Sequence, residues 1–500
     1  MKNANQLHLA AIQQDIRLFW KTYKKMFCIL LILHIIGISA IVWANVPYND
    51  DTYRAVTGYR MFGWGRMISN FLSIFVHADM SIWDISPLTQ SLAVCFLSAA
   101  CCVSVHLLSE KQELSFWTII AVLPLGLSPY FLECLSYKFD SPYMALSILV
   151  SVLPFLFYGY GLLPYCAASI IGCFSMCMLY QSSSGIYPML TALLCFRQWN
   201  KGRPLKDILR FCLVSAFSYY LALVMFRTLY GLFGPKQKEF WYVNYSISLS
   251  LLPENLRTYF SYIQSDFKSW WLALIALIAV SFVYVAVRDT IRRPRVLSGL
   301  LAAVTLLVML ILSYGAYSIL EKPLLLPRGM YGFGVFIAFT GVCASGVKRV
   351  YPAKLACLCL SWAFFVFAFV YGNALAYNQR YLEFRAEAAM MDMCETEAFR
   401  SLEQDGKTLR VQYCGAIDRS APISRKDDSY DLLDRLLPSA ESGSWWYVPI
   451  YMKWYFGVGD YIVIDDSSED FQTLDLPILK DTFYHTIRGD GERILIEFKH

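Results

Sequence analysis

The residues with the greatest potential for chemistry follow the first long apolar run of the sequence. Asp50 and Asp51 are adjacent carboxylates, and Arg54, Arg60 and Arg66 come soon after them. A positioned carboxylate can take the proton of a hydroxyl group, and a guanidinium can stabilise the charge of a departing phosphate. This combination is typical of group transfer from a phosphate-bearing donor. The alternative is structural: the two carboxylates cap the helix that follows them and pair with Arg54.

Three further groups of polar residues occur between apolar runs. Lys138 could hold a phosphate, and Asp140 could orient a sugar hydroxyl or act as a base, although an ordinary loop that starts a helix also explains them. Gln181 and Tyr187 could form hydrogen bonds to a sugar, although a tight turn between helices is the simpler explanation. Arg328 stands at the start of an apolar run, where it could contact a lipid phosphate or extend toward water.

The composition indicates a membrane protein. Hydrophobic residues make up 57% of the chain and charged residues only 16%, whereas about a quarter of an ordinary soluble chain is charged. The net charge of +5 is small and the basic residues lie in short loops, which argues against a nucleic-acid partner. The apolar blocks predict an all-α polytopic protein with eleven spans. They lie near residues 26–46, 88–109, 115–133, 142–158, 163–180, 184–197, 209–230, 270–288, 297–319, 329–347 and 354–375.

The basic residues also predict a topology, because loops rich in lysine and arginine tend to stay in the cytoplasm. Such loops occur at 197–206, 288–295 and 348–354. Residues 1–25 are predicted to form a cytoplasmic amphipathic N-terminus, and residues 26–375 a transmembrane domain. The periplasmic loops then lie near residues 47–87, 134–142, 231–269 and 320–328.

Residues 376–500 differ from the rest of the chain, because charges are frequent and short strand-like runs appear. The pattern predicts a small C-terminal α/β domain on the periplasmic side, with a helix over Asp428–Leu437. Cys394 and Cys414 could form a disulfide if this domain is periplasmic, and two free thiols are equally consistent with the sequence. The predicted strands are Thr408–Tyr413, Tyr461–Ile464 and Arg493–Phe498.

An ordered set of short motifs resembles a known family. The order and spacing, over roughly residues 15–375, are similar to those of the serotype-converting O-antigen glucosyltransferases encoded by temperate phages and prophages of enteric bacteria. Beyond residue 375 the similarity is limited to having an extramembrane tail. The motifs are Asn49-Asp50-Asp51, Gly65-Arg66, Tyr137-Lys138-Phe139-Asp140-Ser141-Pro142, Tyr180-Gln181 and Pro327-Arg328-Gly329.

The resemblance implies a polytopic inner-membrane enzyme of the GT-C architecture, which acts on lipopolysaccharide precursors. Its donor would be undecaprenyl-phosphate glucose and its acceptor lipid-linked O-antigen at the periplasmic face. It would depend on a donor synthase and a flippase. Enzymes of this architecture carry essential acidic residues in the first outer loop, which corresponds to Asp50 and Asp51 here.

These inferences combine into one mechanistic hypothesis, a single inverting displacement. Asp50 or Asp51 deprotonates the acceptor hydroxyl, which attacks the anomeric carbon of the donor sugar. No cofactor is expected, and a divalent cation held weakly by the two carboxylates stays open. Arg66, Lys138 and Arg328 are the candidates to bind the departing phosphate, and Arg54, Arg60, Asp140, Gln181 and Tyr187 are the candidates to bind the substrates.

Other functions remain as alternatives at this point. A flippase or exporter of lipid-linked O-antigen would share the apolar helices and basic loops, but it should carry polar residues deep within several spans. A polymerase of lipid-linked O-antigen would be close in substrate. The sequence contains no Asp-x-Asp triplet, which disfavours a metal-held nucleotide-sugar donor.

Overall fold

The computed structural model describes residues 2–60, 65–109, 115–233, 244–346, 350–400, 408–424, 430–438, 440–441, 453, 455–464 and 469–499. Helices account for most of this part of the chain. They are α1 (Lys2–Ala44), α2 (Asp51–Thr57), α3 (Met67–His77), α4 (Leu88–Leu108), α5 (Phe116–Val122), α6 (Pro124–Leu127), α7 (Pro129–Ser136), α8 (Ser141–Val152), α9 (Leu162–Leu179), α10 (Ile186–Asn200), α11 (Leu205–Phe233), α12 (Leu252–Asp266), α13 (Ser269–Arg288), α14 (Arg295–Leu312), α15 (Pro327–Met330), α16 (Gly332–Ser345), α17 (Tyr351–Cys394), α18 (Glu397–Arg400), α19 (Ala421–Ser424) and α20 (Asp431–Leu436).

Several of these helices are long and apolar enough to cross a membrane, so the polytopic α-helical prediction is confirmed. Within the described residues, eight helices meet that condition, or nine if the chain from α5 to α7, bent by 55° at Ser128, is one span. The predicted count of eleven is not confirmed. Two predicted spans correspond to α10 and α16, which have only 15 and 14 residues, whereas a straight span needs about 20.

Helix α1 begins well before its apolar run. It is continuous over 43 residues, so the predicted N-terminal segment 1–25 and the first span belong to one helix. Likewise, the predicted loops 47–87 and 231–269 contain helices α2, α3 and α12; residues 234–243 of the second loop lie outside the described residues. Hydropathy could not show that polar flanking residues continue a helix.

The chain divides into two compact units. The larger unit comprises residues 1–42, 61–78 and 85–370, and the smaller unit residues 43–60, 79–84 and 371–500. Helix α17 contributes to both, because its first part belongs to the larger unit and its part from Tyr371 onward to the smaller one. The smaller unit is therefore built from three separate stretches of sequence.

The smaller unit contains a six-stranded mixed sheet next to the end of α17. Its strands are β3 (Leu409–Ile417), β4 (Ala440–Glu441), β5 (Ile462–Ile464), β6 (Ile478–Asp481), β7 (His485–Gly489) and β8 (Arg493–Phe498). The strand order in the sheet is β4-β3-β8-β7-β6, and β5 also pairs with β3. The pairs β3–β8 and β3–β5 are parallel. The sequence predicted three of these strands, β3, β5 and β8, and the short helix α20. The larger unit contains an antiparallel pair of strands, β1 (Asn244–Ile247) and β2 (Leu320–Lys322).

One face of this sheet is covered by α17. Leu382, Ala386, Met390 and Met393 recur at the spacing of one helical face, and they pack with buried strand residues such as Val411. The helix continues to Cys394 because its polar part is rich in alanine, glutamate and methionine, which favour helix. Cys394 and Cys414 both carry free thiols.

Candidate functional site

Five charged residues from distant parts of the chain form a polar cluster in the larger unit: Arg66, Glu133, Lys138, Asp140 and Arg328. Arg66 precedes α3, Glu133 lies in α7, Lys138 and Asp140 lie between α7 and α8, and Arg328 is the second residue of α15. Two ion pairs organise the cluster. Four of the five residues were predicted site residues, and Glu133 had been given no role.

The first ion pair joins Glu133 to Arg328. The Glu133 carboxylate accepts a hydrogen bond from the Arg328 backbone amide at 2.6 Å and another from the Arg328 guanidinium. An amide in the first turn of a helix has no carbonyl partner within that helix. Glu133 therefore caps α15 and fixes the guanidinium at the same time. Only 1% of Glu133 is exposed, and the guanidinium lies over the Tyr137 ring at 5.5 Å.

The second ion pair joins Arg66 to Asp140, with 3.0 Å between Nη1 and Oδ2. The Arg66 guanidinium lies 4.7 Å from the centre of the Tyr180 ring. Tyr180 also links the two pairs, because its hydroxyl donates a hydrogen bond to the Arg328 carbonyl oxygen at 3.3 Å.

The polar cluster contains three cations and two ion pairs. Arg66, Lys138 and Arg328 are cationic, and Glu133 and Asp140 are the anions of the two pairs. Lys138 and Asp140 are also buried. Charged groups are costly to withdraw from water unless they are paired. A guanidinium presents its N–H donors in a planar arrangement that matches the oxygens of a phosphate, so arginines held in place in this way can bind one.

Two other predicted site residues lie in the larger unit. Gln181 begins a short 3-10 turn before α10 and is half-buried. Tyr187 lies inside the helix packing: it is buried, its hydroxyl is 2.9 Å from the Tyr165 hydroxyl, and its ring is stacked on the Tyr219 ring. The structure therefore places Tyr187 among packing residues, and its role in substrate binding stays a prediction.

The predicted catalytic carboxylates belong to the smaller unit, at the start of α2. Asp51 is fully buried, and its Oδ2 accepts a hydrogen bond from the Tyr48 amide at 3.1 Å while its own amide donates to the Tyr48 carbonyl. Asp50 is paired with Arg54 at 3.7 Å. The structural alternative drawn from the sequence is therefore present in part: Asp50 pairs with Arg54, but its side chain forms no capping hydrogen bond at the start of α2. Asp51 holds the turn, and Asp50 is the more accessible carboxylate, with 16% of its side chain exposed.

The turn that carries these carboxylates is anchored to the C-terminal part of the smaller unit. The Tyr48 hydroxyl donates a hydrogen bond to the Leu436 carbonyl oxygen at 2.6 Å. Arg60, a predicted substrate-binding residue, donates to the Asp79 carbonyl oxygen. The Asp79 carboxylate accepts from the Trp83 indole, which lowers its pKa. Residues 43–60 and 79–84 are therefore part of the same compact unit as the C-terminal sheet.

Sequence reasoning assigned no role to two buried carboxylates. Glu133 stands alone in an apolar run, and such a placement is itself a signal for function. Asp266 ends α12 and accepts a hydrogen bond from the Tyr130 hydroxyl at 2.6 Å; its position in a polar connection gave no such signal. Among the residues that the structure describes, no three His, Cys, Asp or Glu side chains lie close enough to hold a metal ion together.

The fold defines a multi-pass membrane protein, and the residues of its polar cluster lie at or near helix ends. The comparisons with known proteins give the class of enzyme. The family model described as "Glucosyl transferase GtrII" matches residues 39–343. The chain belongs to this family and is a glycosyltransferase, which confirms the resemblance seen in its motifs.

A curated relative points in the same direction. A protein encoded in the gtrB 5' region of Salmonella phage P22, described as an uncharacterized 55.3 kDa protein, is 24% identical over 429 residues. The alignment covers 81% of this chain and 85% of the relative. No solved structure matched the chain. The aligned length exceeds that of the region matched by the family model.

Proposed function

We propose that this enzyme transfers a glucosyl residue from undecaprenyl-phosphate glucose to lipid-linked O-antigen at the periplasmic face of the bacterial inner membrane. Membership of a glucosyl transferase family and the relative from a phage support a role in serotype conversion. The observation that supports the lipid-phosphate donor is the polar cluster, in which two arginines are fixed by ion pairs. The long apolar helices of the chain suit a lipid-linked substrate.

The chemistry of the donor explains why such a cluster is needed. The bond between the anomeric carbon and the phosphate oxygen breaks, and its electron pair stays on the phosphate. The phosphate therefore gains charge as the acceptor oxygen bonds to the anomeric carbon. Arg66, Lys138 and Arg328 can stabilise that charge, and the carboxylates that hold both arginines in place reduce the reorganisation needed during the reaction. Asp140, with Gln181, is the proposed contact to the sugar hydroxyls.

The acceptor proton needs a base, and the structure favours a division of roles between the two adjacent carboxylates. Asp51 uses its carboxylate to hold the turn at Tyr48. Asp50 is more exposed and has Arg54 as its partner. We therefore assign proton removal to Asp50 and positioning of the turn to Asp51, with Arg54 and Arg60 as further substrate contacts. No metal ion takes part in this scheme, so transfer should persist in the presence of a chelator.

The test is carried out in cells that lack the gene and are then supplied with it, together with a donor synthase and a flippase. Mass and linkage analysis of the O-antigen should show one added hexose per repeat. Asp50→Asn and Arg328→Gln should abolish or greatly reduce this addition, whereas Arg210→Gln, which changes an exposed arginine on α11, should not. Membrane levels of each variant are compared so that a loss of folding is recognised.

The outcomes separate the possible functions. Full hexose addition by Asp50→Asn would overturn the base assignment, and full addition by Arg328→Gln would overturn the phosphate site. An unchanged repeat with an altered chain length would favour a polymerase. An unchanged repeat with an altered amount of lipid-linked glycan would favour a flippase or exporter.

A further inference from the structure

A cavity lies in the larger unit, away from the polar cluster. It has a volume of about 270 Å³ and is lined by residues that include Phe196, Arg197, Lys201, Phe282 and Asp289. We refer to it as the basic cavity. The helices α4, α10, α13 and α16 all have their carboxyl-terminal ends at this cavity, because its lining also includes Leu108, Asn200, Ala286 and Gly346.

The basic cavity and the polar cluster lie at opposite ends of the same helices. Helix α16 starts directly after α15, which carries Arg328, and ends at Ser345, beside the cavity. Its 14 residues span about 20 Å at 1.5 Å per residue. Helix α10 runs in the same direction from the Gln181 turn to Asn200. The cavity therefore cannot be a part of the proposed donor-phosphate site.

The charge around the basic cavity is strongly positive. The two connections beside it, residues 197–206 and 288–295, contain eight basic residues and one acidic residue. That acidic residue, Asp289, accepts hydrogen bonds from the Arg288 guanidinium at 2.7 and 3.2 Å, so its negative charge is balanced by its neighbour. The charge at the cavity therefore favours an anionic ligand over a metal ion.

The two connections are tied together, which fixes the cations in place. The Asn200 side chain donates to the Ala286 carbonyl oxygen at 3.0 Å and accepts from the Ser298 hydroxyl at 2.6 Å. The Asn200 carbonyl oxygen accepts from the Ile291 amide at 2.9 Å. Arg293 lies over the Trp199 ring at 5.3 Å. A preorganised basic site costs less to occupy than one that must be assembled by the ligand.

The walls of the cavity are apolar, which narrows the class of ligand. Phe196, Phe282 and Val342 line it and are buried. Helix carboxyl ends carry partial negative charge, and Arg197 compensates one of them by donating to the Leu108 carbonyl oxygen. Arg293 likewise donates to the Trp199 and Arg203 carbonyl oxygens. A site with cations at its rim and apolar walls matches a phosphate attached to a glycerol backbone and acyl chains.

We propose that the basic cavity binds the phosphate of an anionic phospholipid from the surrounding membrane. The phosphate is held by Arg197 and Lys201, and the glycerol region of the lipid packs against the phenylalanine walls. Basic pockets between membrane helices bind lipid head groups in this way. Binding should stabilise the four helix ends, because a ligand that binds only the folded state adds to its stability.

The test uses the full chain in lipid nanodiscs of phosphatidylcholine with and without phosphatidylglycerol. The protein is released from the nanodiscs in the mass spectrometer, and native mass spectrometry counts the phosphatidylglycerol molecules that stay bound to it. Lys201→Gln should weaken retention about fivefold, since one basic residue near a membrane surface contributes about 1 kcal/mol. Lys201→Arg keeps the charge and should retain the lipid. Lys206→Gln removes an exposed charge of the same connection that does not line the cavity, and it is the matched control.

Three other outcomes would overturn the proposal, and one further outcome would support it. Equal losses in Lys201→Gln and Lys206→Gln would show diffuse attraction to a charged membrane surface instead of a site. Equal retention of phosphatidylcholine and phosphatidylglycerol would show that the charge of the lipid is irrelevant. Complete displacement of phosphatidylglycerol by inorganic phosphate would show a site for soluble anions, whereas displacement by glycerol phosphate but not by inorganic phosphate supports recognition of the lipid backbone.

Discussion

The ion pair between Glu133 and Arg328 offers the sharpest test of the polar cluster. Glu133→Gln preserves the shape of the side chain but removes its charge. The carboxylate accepts two hydrogen bonds from one residue, and one of them comes from a guanidinium. A hydrogen bond to a charged group contributes about 1.5–3 kcal/mol, and breaking a fully buried pair costs about 3–5 kcal/mol. The Arg328 side chain is 17% exposed, so water can solvate its guanidinium and offset part of the free energy lost with the ion pair.

We therefore expect Glu133→Gln to lower the free energy of unfolding by about 2 kcal/mol. The assay is denaturant titration in mixed micelles, followed by tryptophan fluorescence. Glu387→Gln is the control, because Glu387 is exposed on α17 and its replacement should change stability by less than about 0.5 kcal/mol. A double-mutant cycle with Arg328→Gln isolates the pair. Equal stability of Glu133→Gln and the control, or a coupling energy near zero, would refute this account of the cluster.

Three further predictions follow from single contacts. Tyr48→Phe removes the hydroxyl that donates to Leu436 and should destabilise the smaller unit by about 1 kcal/mol, measured by hydrogen exchange in the C-terminal strands. Gly185→Ala would place a methyl group against the Leu312 carbonyl and should cost about 1–3 kcal/mol, measured as a lower thermal unfolding temperature; an unchanged temperature would contradict the packing. Burial lowers the pKa of His485 in the folded protein. The unfolded chain therefore binds more protons than the folded protein below a pH of about 6.5, so the free energy of unfolding should decrease as the pH drops. The His485→Gln variant should show a weaker dependence of stability on pH.

The sequence predicted individual helices and strands better than it predicted how they pack together. The predicted span 270–288 matches Ser269–Arg288 closely, because apolar length alone defines such a helix. Strand Arg493–Phe498 was predicted over the same residues, because its apolar and β-branched residues are bounded by turns. Helices α10 and α16 were predicted as spans from hydropathy, which does not report where a helix ends.

The candidate site shows the same division. The sequence identified Arg66, Asp140 and Arg328 as chemically capable residues, but it could not show which charges pair. Arg66 and Asp140 are 74 positions apart, and Glu133 and Arg328 are 195 apart. Such pairs depend on how helices pack, and a local pattern carries no information about that.

Because the smaller unit is built from three separate segments of sequence, a segment of this protein cannot be replaced by that of a relative without regard to the other two. Residues 43–60 and 79–84 belong to the same compact unit as residues 371–500, and the Tyr48–Leu436 hydrogen bond joins the first of these segments to the last. A chimera that takes its membrane region from one relative and its tail from another would therefore combine surfaces that were never matched. Recombination that preserves folding would have to carry all three segments together, although more than 300 residues separate the first from the last.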